Sequence, residues 1–448
     1  MRITWIQPED LLVHELRQSA DEGRDVAAVA EAWRDAGGSP TIPHGGASQP
    51  PASAELRALA GRLLDRLATL PSRTAADEPD GLAEIRAITS AADSPAAVDV
   101  MDLRERVRGG WLGRAAGCLL GKPVEKIPRE GIREILEATG RWPLRGYFTA
   151  RGLPAEVAER WPWNRASAAT SLVEVIDGMP EDDDLNYALL ALYVLERHGA
   201  GFTTEDVAAA WLALLPAGRV FTAERAAYRN LLEGYAPPET ATVRNPYREW
   251  IGAQIRGDVY GWVRPGDPWA AAALAWKDAR LSHTRNGLYG AMYVAAMTSA
   301  ACVASGVEEV LDAGLSVVPP RSRLAAAVRD ARALAASGIG FEKGVDRLYE
   351  SYGDLHWVHV LNNAALVTLA LALGRGDFAD SVCMVVSGGW DTDSNGATVG
   401  SVTGTLAGAA GLPGEWTGPL NNRLASSMPG FDGVGFDELA DRTVAGIS

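Results

Sequence analysis

Apolar residues recur along most of the chain at three- and four-residue intervals, the period of a helix with one buried face. The pattern is clearest in DLNYALLALYVLERHG (184–199), TEDVAAAWLALLPAG (204–218), PWAAAALAWKDARLSH (268–283), GLYGAMYVAAMTSAACVAS (287–305), SRLAAAVRDARALAASG (322–338) and NNAALVTLALALG (362–374). Period-two alternation of β-branched or aromatic residues is scarce. No strand–helix–strand rhythm and no GxGxxG followed by an acidic residue occurs, so a dinucleotide-binding sheet is not expected. The expected fold is all-α, a compact multi-helix domain.

The first hundred residues have a different texture. PEDLLVHELRQSADEG starts at Pro8 and stops at Gly23, and VAAVAEAWRDAGG stops at Gly37-Gly38; both carry helix start and stop signals. A Pro/Gly/Ser-rich linker at 39–53 precedes a third amphipathic pattern, AELRALAGRLLDRLATL (54–70). Residues 71–100 are polar, acidic and interrupted by proline, which predicts loop with a short helix. The chain therefore divides into a helical N-terminal extension, 1–100, and a body, 101–448. In the body, Gly396, Gly400, Gly404 and Gly408 recur every four residues, as do Gly113, Gly117 and Gly121. On a helix each set is a bare stripe that lets another helix approach closely, at a cost of about 1 kcal/mol per Gly relative to Ala.

With 448 residues, 47% of them hydrophobic, the chain can bury a large core. Its net charge of −15 opposes nonspecific binding to nucleic acid or an anionic membrane. The uncharged stretch from Asn286 to Val307 is rich in Ala, Gly, Ser and Thr, too weakly apolar for a membrane span, and reads as a buried helix. The three cysteines, Cys118, Cys302 and Cys383, are odd in number, far apart and outside any CxxC, as expected of reduced core thiols in a cytoplasmic protein. The N-terminus MRITWIQPEDLL has no signal-peptide pattern.

Two acidic clusters carry the candidate chemistry: Glu181-Asp182-Asp183-Asp184 and Asp391-Thr392-Asp393-Ser394, each just before an apolar helical run. Oxygen-only ligand sets suit hard cations such as Mg²⁺, and two sets brought together could hold two ions over one substrate. Asp391 and Asp393, one residue apart, could face one ion from an extended segment. The plainer reading is helix capping by one or two of these acids. Capping leaves the repulsion among four adjacent acids unrelieved. In GGWLGRAAGCLLGKPVEKIP, Glu125 follows a helix end, a place for a proton donor or acceptor, though a surface Glu beside Lys126 is the better reading of the residues alone. GAQIRGDVYGWVRPGDP, with Gly252, Arg256, Gly257 and Asp258, could cradle a phosphate or sugar. His283 lies between two helical runs, where a capping or core histidine is the default. No Ser-His-Asp, HExxH or P-loop pattern occurs.

Together, GRAAGCLLGKPVE, PEDDDLNYALLAL and GGWDTDSNGATVGSVTGTLAGA resemble, in this order and over residues 103–420, the motifs of the ADP-ribosylglycohydrolase family. The resemblance implies an all-α fold and two Mg²⁺ ions, with Mn²⁺ also compatible, bound by Glu181, Asp182, Asp183, Asp391, Asp393 and Ser394. It implies Glu125 and Asp391 as catalytic residues, and Gly252, Arg256, Gly257, Asp258, His283 and Tyr289 as the substrate-binding set. Glu181 stands where the family has Thr, Ser394 where it often has Thr, and Cys118 where its first helix often has Asp. The implied activity is hydrolysis of an N- or O-glycosidic bond of an ADP-ribosyl group. The implied substrate is a small molecule or an ADP-ribosylated partner, and a homo-oligomer is compatible with the sequence. The altered IRGDVYG run leaves open another ribosyl or sugar glycoside. A non-catalytic binding protein of the same fold is the third reading.

Overall fold

The computed structural model describes residues 2–41, 47–90, 100–164 and 167–447. Part of the expected linker (42–46) and the stretch just before the expected domain boundary (91–99) lie outside the described residues. The described chain is α-helical, with short 3-10 turns and three isolated β-bridges but no strand. The periodic segments fold as their spacing predicts, for example Asp183–His198, Thr204–Leu214, Arg285–Ala301, Arg323–Ala336 and Val360–Gly374. The uncharged run forms a fully buried helix from Asn286 to Ala301, and among the described residues no helix is long and apolar enough to cross a membrane.

The two glycine stripes meet. Helix Val100–Gly121 and helix Thr392–Ala407 run antiparallel with their backbones in contact. A Cβ added at Gly117 would collide with the carbonyl oxygen of Gly396, and one at Gly396 with that of Gly117. The same reciprocal relation holds for Gly113 with Gly400 and for Gly109 with Gly404. At the end of the stripe, a Cβ at Gly121 would strike the backbone of Thr392. The crossing includes Gly109, one turn before the stripe read from the sequence. It excludes Gly408, which ends its helix at φ +69°. The Thr392 hydroxyl donates to the Gly121 carbonyl at 2.9 Å, tying the C-terminus of one helix to the N-terminus of the other.

The N-terminal segment packs onto the body through charge. Arg248 donates to Glu15 at 2.7 Å and to Glu22 at 2.8 Å, and Arg323 donates to Glu78 at 2.7 Å and to Glu249 at 2.8 Å. Glu15, Glu22, Glu78, Arg248 and Glu249 are buried. Such groups persist in an interior only when each charge is paired and hydrogen-bonded. Trp5 and His14 complete the contact by packing edge-on against Tyr247 and Trp250.

Because the atoms opposing each glycine are backbone carbonyls, the crossing cannot relax by moving a side chain. Gly117→Ala and Gly400→Ala are each expected to destabilise the fold by about 3 kcal/mol or more, at the upper end of overpacking costs. Chemical denaturation measures this directly. Ala at Gly411, where the nearest atom is the Ala407 methyl at 3.2 Å, is the control and should cost far less.

Candidate active site

Three helix ends converge at one end of the glycine crossing. Helix Val100–Gly121 passes into a 3-10 turn, Lys122–Val124, and then to Glu125 in extended backbone. Asp182 caps helix Asp183–His198, accepting the Asp184 N–H at 2.9 Å. Asp391 is the N-cap position of helix Thr392–Ala407. Both acidic clusters thus sit on helix N-termini, where the backbone dipole favours negative charge. The expectation of an extended Asp391–Asp393 segment gives way to a cap at Asp391 and a first helical turn that holds Asp393. The two carboxyl groups still converge, because residues at a cap and in the first turn can share a face.

Asp182, Asp184, Asp391, Asp393 and Ser394 are buried, and Asp183 and Glu125 are partly exposed. The Ser394 hydroxyl donates to the Asp184 carboxylate at 3.2 Å, joining the clusters. Burial, then the charges of Asp182 and Asp393, push the Asp183 and Asp184 carboxyls well above the usual range. Burial, then Glu125 and Asp182, lift Asp393 to about 7. Burial and Asp393 raise Asp391 well up, and a hydrogen bond between these two carboxyls favours the proton on Asp391. Asp182 departs from this pattern. Burial opposes its charge, but the ammonium of Lys122, in direct contact with its Oδ2, holds its carboxyl below the ordinary value.

Glu181 takes no part in the cluster. Its carboxylate accepts from the Asn186 amide at 2.9 Å and pairs with Arg219 at 3.2 Å. It precedes the cap, and its longer side chain reaches these outer partners. Glu125 does join the site. Its Oε2 accepts from the Asn164 amide at 2.5 Å and its Oε1 pairs with Lys126 at 3.0 Å. The surface-Glu pairing and the position beside the acidic cluster therefore hold together.

The expected substrate run is not a surface loop. Residues Ile251–Arg256 form a buried 3-10 turn leading into the short helix Asp258–Trp262. Arg256 donates to Glu224 at 2.6 Å, to the Ser282 hydroxyl at 2.8 Å and to the Gly252 carbonyl at 2.9 Å, and it contacts Asp278. Four of its five N–H donors are thus engaged inside the protein, and the side chain is buried away from any ligand surface. A Cβ at Gly252 would meet the Glu224 carboxylate, and one at Gly257 the Ala291 carbonyl, so both glycines serve internal packing. Asp258 pairs with the fully buried Arg114. His283 is buried with Nδ1 at 2.8 Å from the Ser282 hydroxyl, and Tyr289 donates to the Pro79 carbonyl at 2.6 Å. Each of these four side chains, Arg256, Asp258, His283 and Tyr289, thus has a polar partner inside the protein.

Three residues that the sequence reading passed over support the site. Arg114 donates to the Asp184 carbonyl at 2.6 Å and lies 3.7 Å from its Oδ1. Its signal was a lone cation inside a small-residue stripe. The Asn363 side-chain oxygen Oδ1 accepts the Asp391 N–H at 3.2 Å and the Asn395 side-chain amide at 2.7 Å; its signal was polar Asn362-Asn363 heading an apolar helix. Trp390 holds φ +56° just before Asp391, a conformation costly for a bulky side chain, and stacks on Tyr349 with ring centroids 4.4 Å apart.

The arrangement fits a hard divalent cation. Its donors are carboxylate oxygens, two carboxyls lie close enough to share a proton, and the buried Asp184 Oδ1 has no hydrogen-bond donor. The Cys118 thiol stands within 4.8 Å of Asp182 and Asp184 oxygens, but burial keeps it a neutral thiol.

A model of the ADP-ribosylglycohydrolase family matches residues 99–447. A solved structure described as an ADP-ribosylglycohydrolase-related protein complex is similar at 21% identity, over 78% of this chain and 98% of that one, with a TM-score of 0.47. No curated protein matches.

The raised carboxyls set a pH signature. Between the ordinary carboxylate range near 4 and the folded value near 7, the chelator-treated folded protein binds more protons than the unfolded chain, so this cluster's contribution to stability falls as pH rises through that window. A cation that replaces those protons should raise Tm more at pH 8 than at pH 5. Calorimetry with and without Mg²⁺ across this range tests it; an equal gain at both ends would show that the cluster is not where the ion binds.

Proposed function

The chain belongs to the ADP-ribosylglycohydrolase family and is a glycosyl-hydrolase-like enzyme, and from that premise we propose that it is a Mg²⁺-dependent hydrolase of an N- or O-glycosidic bond to an ADP-ribosyl group. The observation that carries this reading is the convergence of Asp183, Asp184, Asp391 and Asp393 beside Glu125 at the three helix ends. These four aspartates would hold the ion. When bound, it would supply Lewis-acid polarisation and orientation of the sugar hydroxyls.

The remaining work falls to the chain's own residues. Glu125, like Asp183, is partly exposed, and its Oε2 is aimed by Asn164. It moves a proton between attacking water and leaving group. Departure of the leaving group places positive charge on the anomeric carbon, and the negative field of the surrounding aspartates favours that charge where water is excluded. Asn363 and Trp390 keep Asp391 in register for this by holding its backbone.

One observation favours a second substrate. Arg256, Asp258, His283 and Tyr289 are engaged inside the protein, so recognition of a diphosphate by this set is not supported. A different ribosyl or sugar glycoside suits the same aspartates. A non-catalytic binding protein would bind a glycoside without turning it over.

Calorimetric titration of ADP-ribose with and without Mg²⁺ separates these readings. Metal-dependent binding is expected; metal uptake with no ADP-ribose binding would move the substrate to another glycoside. Glu125→Gln should lower kcat by about 10²–10⁴-fold, the range for general acid–base groups, while ligand affinity changes little. Unchanged kcat would remove Glu125 from the mechanism.

A further inference from the structure

Lys122 is an unexpected tenant of an acidic site. It follows the last glycine of the crossing helix and is almost fully buried. Its ammonium contacts Asp182 Oδ2 directly and lies 3.2 Å from the Glu181 carbonyl oxygen. The lysine cannot swing away as a surface side chain would. Its turn is pinned by the Ser167 hydroxyl, which donates to the Lys122 carbonyl at 2.8 Å, and by the Asn164 N–H, which donates to the Pro123 carbonyl at 3.0 Å.

The Asp182 end of the cluster is therefore already served. Asp182 Oδ1 accepts the Asp184 N–H and Oδ2 faces the ammonium. Glu181 is turned out to Asn186 and Arg219. The opposite end has the reverse character. Asp184 Oδ1 lacks a hydrogen-bond donor although it is buried, and Asp391 and Asp393 hydrogen-bond to each other, carboxyl to carboxyl. A divalent ion beside the Lys122 ammonium would meet like charge at close range, in an interior that screens it poorly. A divalent ion at the Asp184–Asp391–Asp393 end would meet mostly carboxylate oxygen: the nearest cation there, Arg114, is 3.7 Å from Asp184 Oδ1 and is bonded to the Asp184 carbonyl and to Asp258, whereas the Lys122 ammonium is in direct contact with Asp182.

We infer that the Lys122 ammonium stands in for one of the two cations expected from the sequence, so that this site holds a single divalent ion on Asp183, Asp184, Asp391 and Asp393. The inference rests on the metal-binding reading of the cluster given above. It makes Lys122 a fixed positive charge that neutralises Asp182 whatever the metal supply, and it leaves one exchangeable ion to orient a substrate.

The test is a count of Mn²⁺ on the chelator-treated full-length protein by equilibrium dialysis, with electron paramagnetic resonance to detect spin coupling. The wild-type chain should bind about one Mn²⁺ with an uncoupled signal, since coupling requires a second ion about 4 Å away. Lys122→Met, which keeps the stem and removes the charge, should bind a second Mn²⁺ and show coupling, and Lys122→Arg should remain at one. Two coupled ions on the wild-type chain would overturn the inference while leaving the metal site intact. A Lys122→Met protein that folds, by circular dichroism, yet still binds one ion would overturn the role given to Lys122. No Mn²⁺ uptake by the wild-type chain would instead bring down the metal reading beneath it. The wild-type count needs no variant, so it decides the stoichiometry even if Lys122→Met does not fold.

Discussion

Everything at the site depends on two helices that touch backbone to backbone. Gly109, Gly113 and Gly117 on one and Gly404, Gly400 and Gly396 on the other leave no room for a Cβ on either side. Glycine in a helix interior costs about 1 kcal/mol relative to alanine, and close packing of the two backbones offsets it. The return is positional. Gly121 lies against Thr392, so the end of the first helix, which launches Lys122 and Glu125, is locked to the start of the second, which carries Asp391 and Asp393. A larger residue in the stripe would separate those groups by the width of a side chain.

Charge is distributed on two different plans. Around Arg114, Arg248 and Arg256, buried acids and bases are matched and hydrogen-bonded, as a stable interior requires. At the three helix ends acids outnumber bases, and the excess is visible as carboxyls pushed up toward their protonated forms. The first plan builds the protein and joins the N-terminal segment to it. The second leaves an affinity for cations that the chain itself answers most closely at Asp182, through Lys122, and more loosely at Asp184, where Arg114 stands 3.7 Å away. Perturbed carboxyls in a confined cluster are the usual mark of a functional site, and here they sit where two helix dipoles already favour negative charge.

Much of this was legible in the residues. Helical periodicity fixed the class and most of the elements, because a 3.6-residue stripe needs no knowledge of its neighbour. Two glycine stripes announced a close crossing. The acidic clusters at helix starts announced their own convergence through the family resemblance. The supporting residues were harder to see. Asn363 and Arg114 act on partners 28 and 70 positions away, and nothing local marks an asparagine as the acceptor for a distant N–H. The run from Gly252 to Asp258 misled for a related reason. Glycines and an arginine in a row describe a ligand cradle and a tightly packed buried turn equally well until the neighbours Glu224, Asp278 and Ala291 are in place.

What the sequence by itself determined was local and periodic: the all-α class, the helix boundaries set by Pro, Gly and capping acids, the two bare stripes, and the inventory of oxygen ligands. What only the tertiary structure decided was assignment: which acids face one another, which have already been given a cation, and which cations are used up inside. Glu181 and Asp182 are adjacent in the chain, yet one turns out to Arg219 and the other accepts Lys122. Periodicity is a property of consecutive residues. The partner of a buried charge is set by whichever opposite charge the packing brings within a few ångströms, and for this chain the glycine crossing sets that distance.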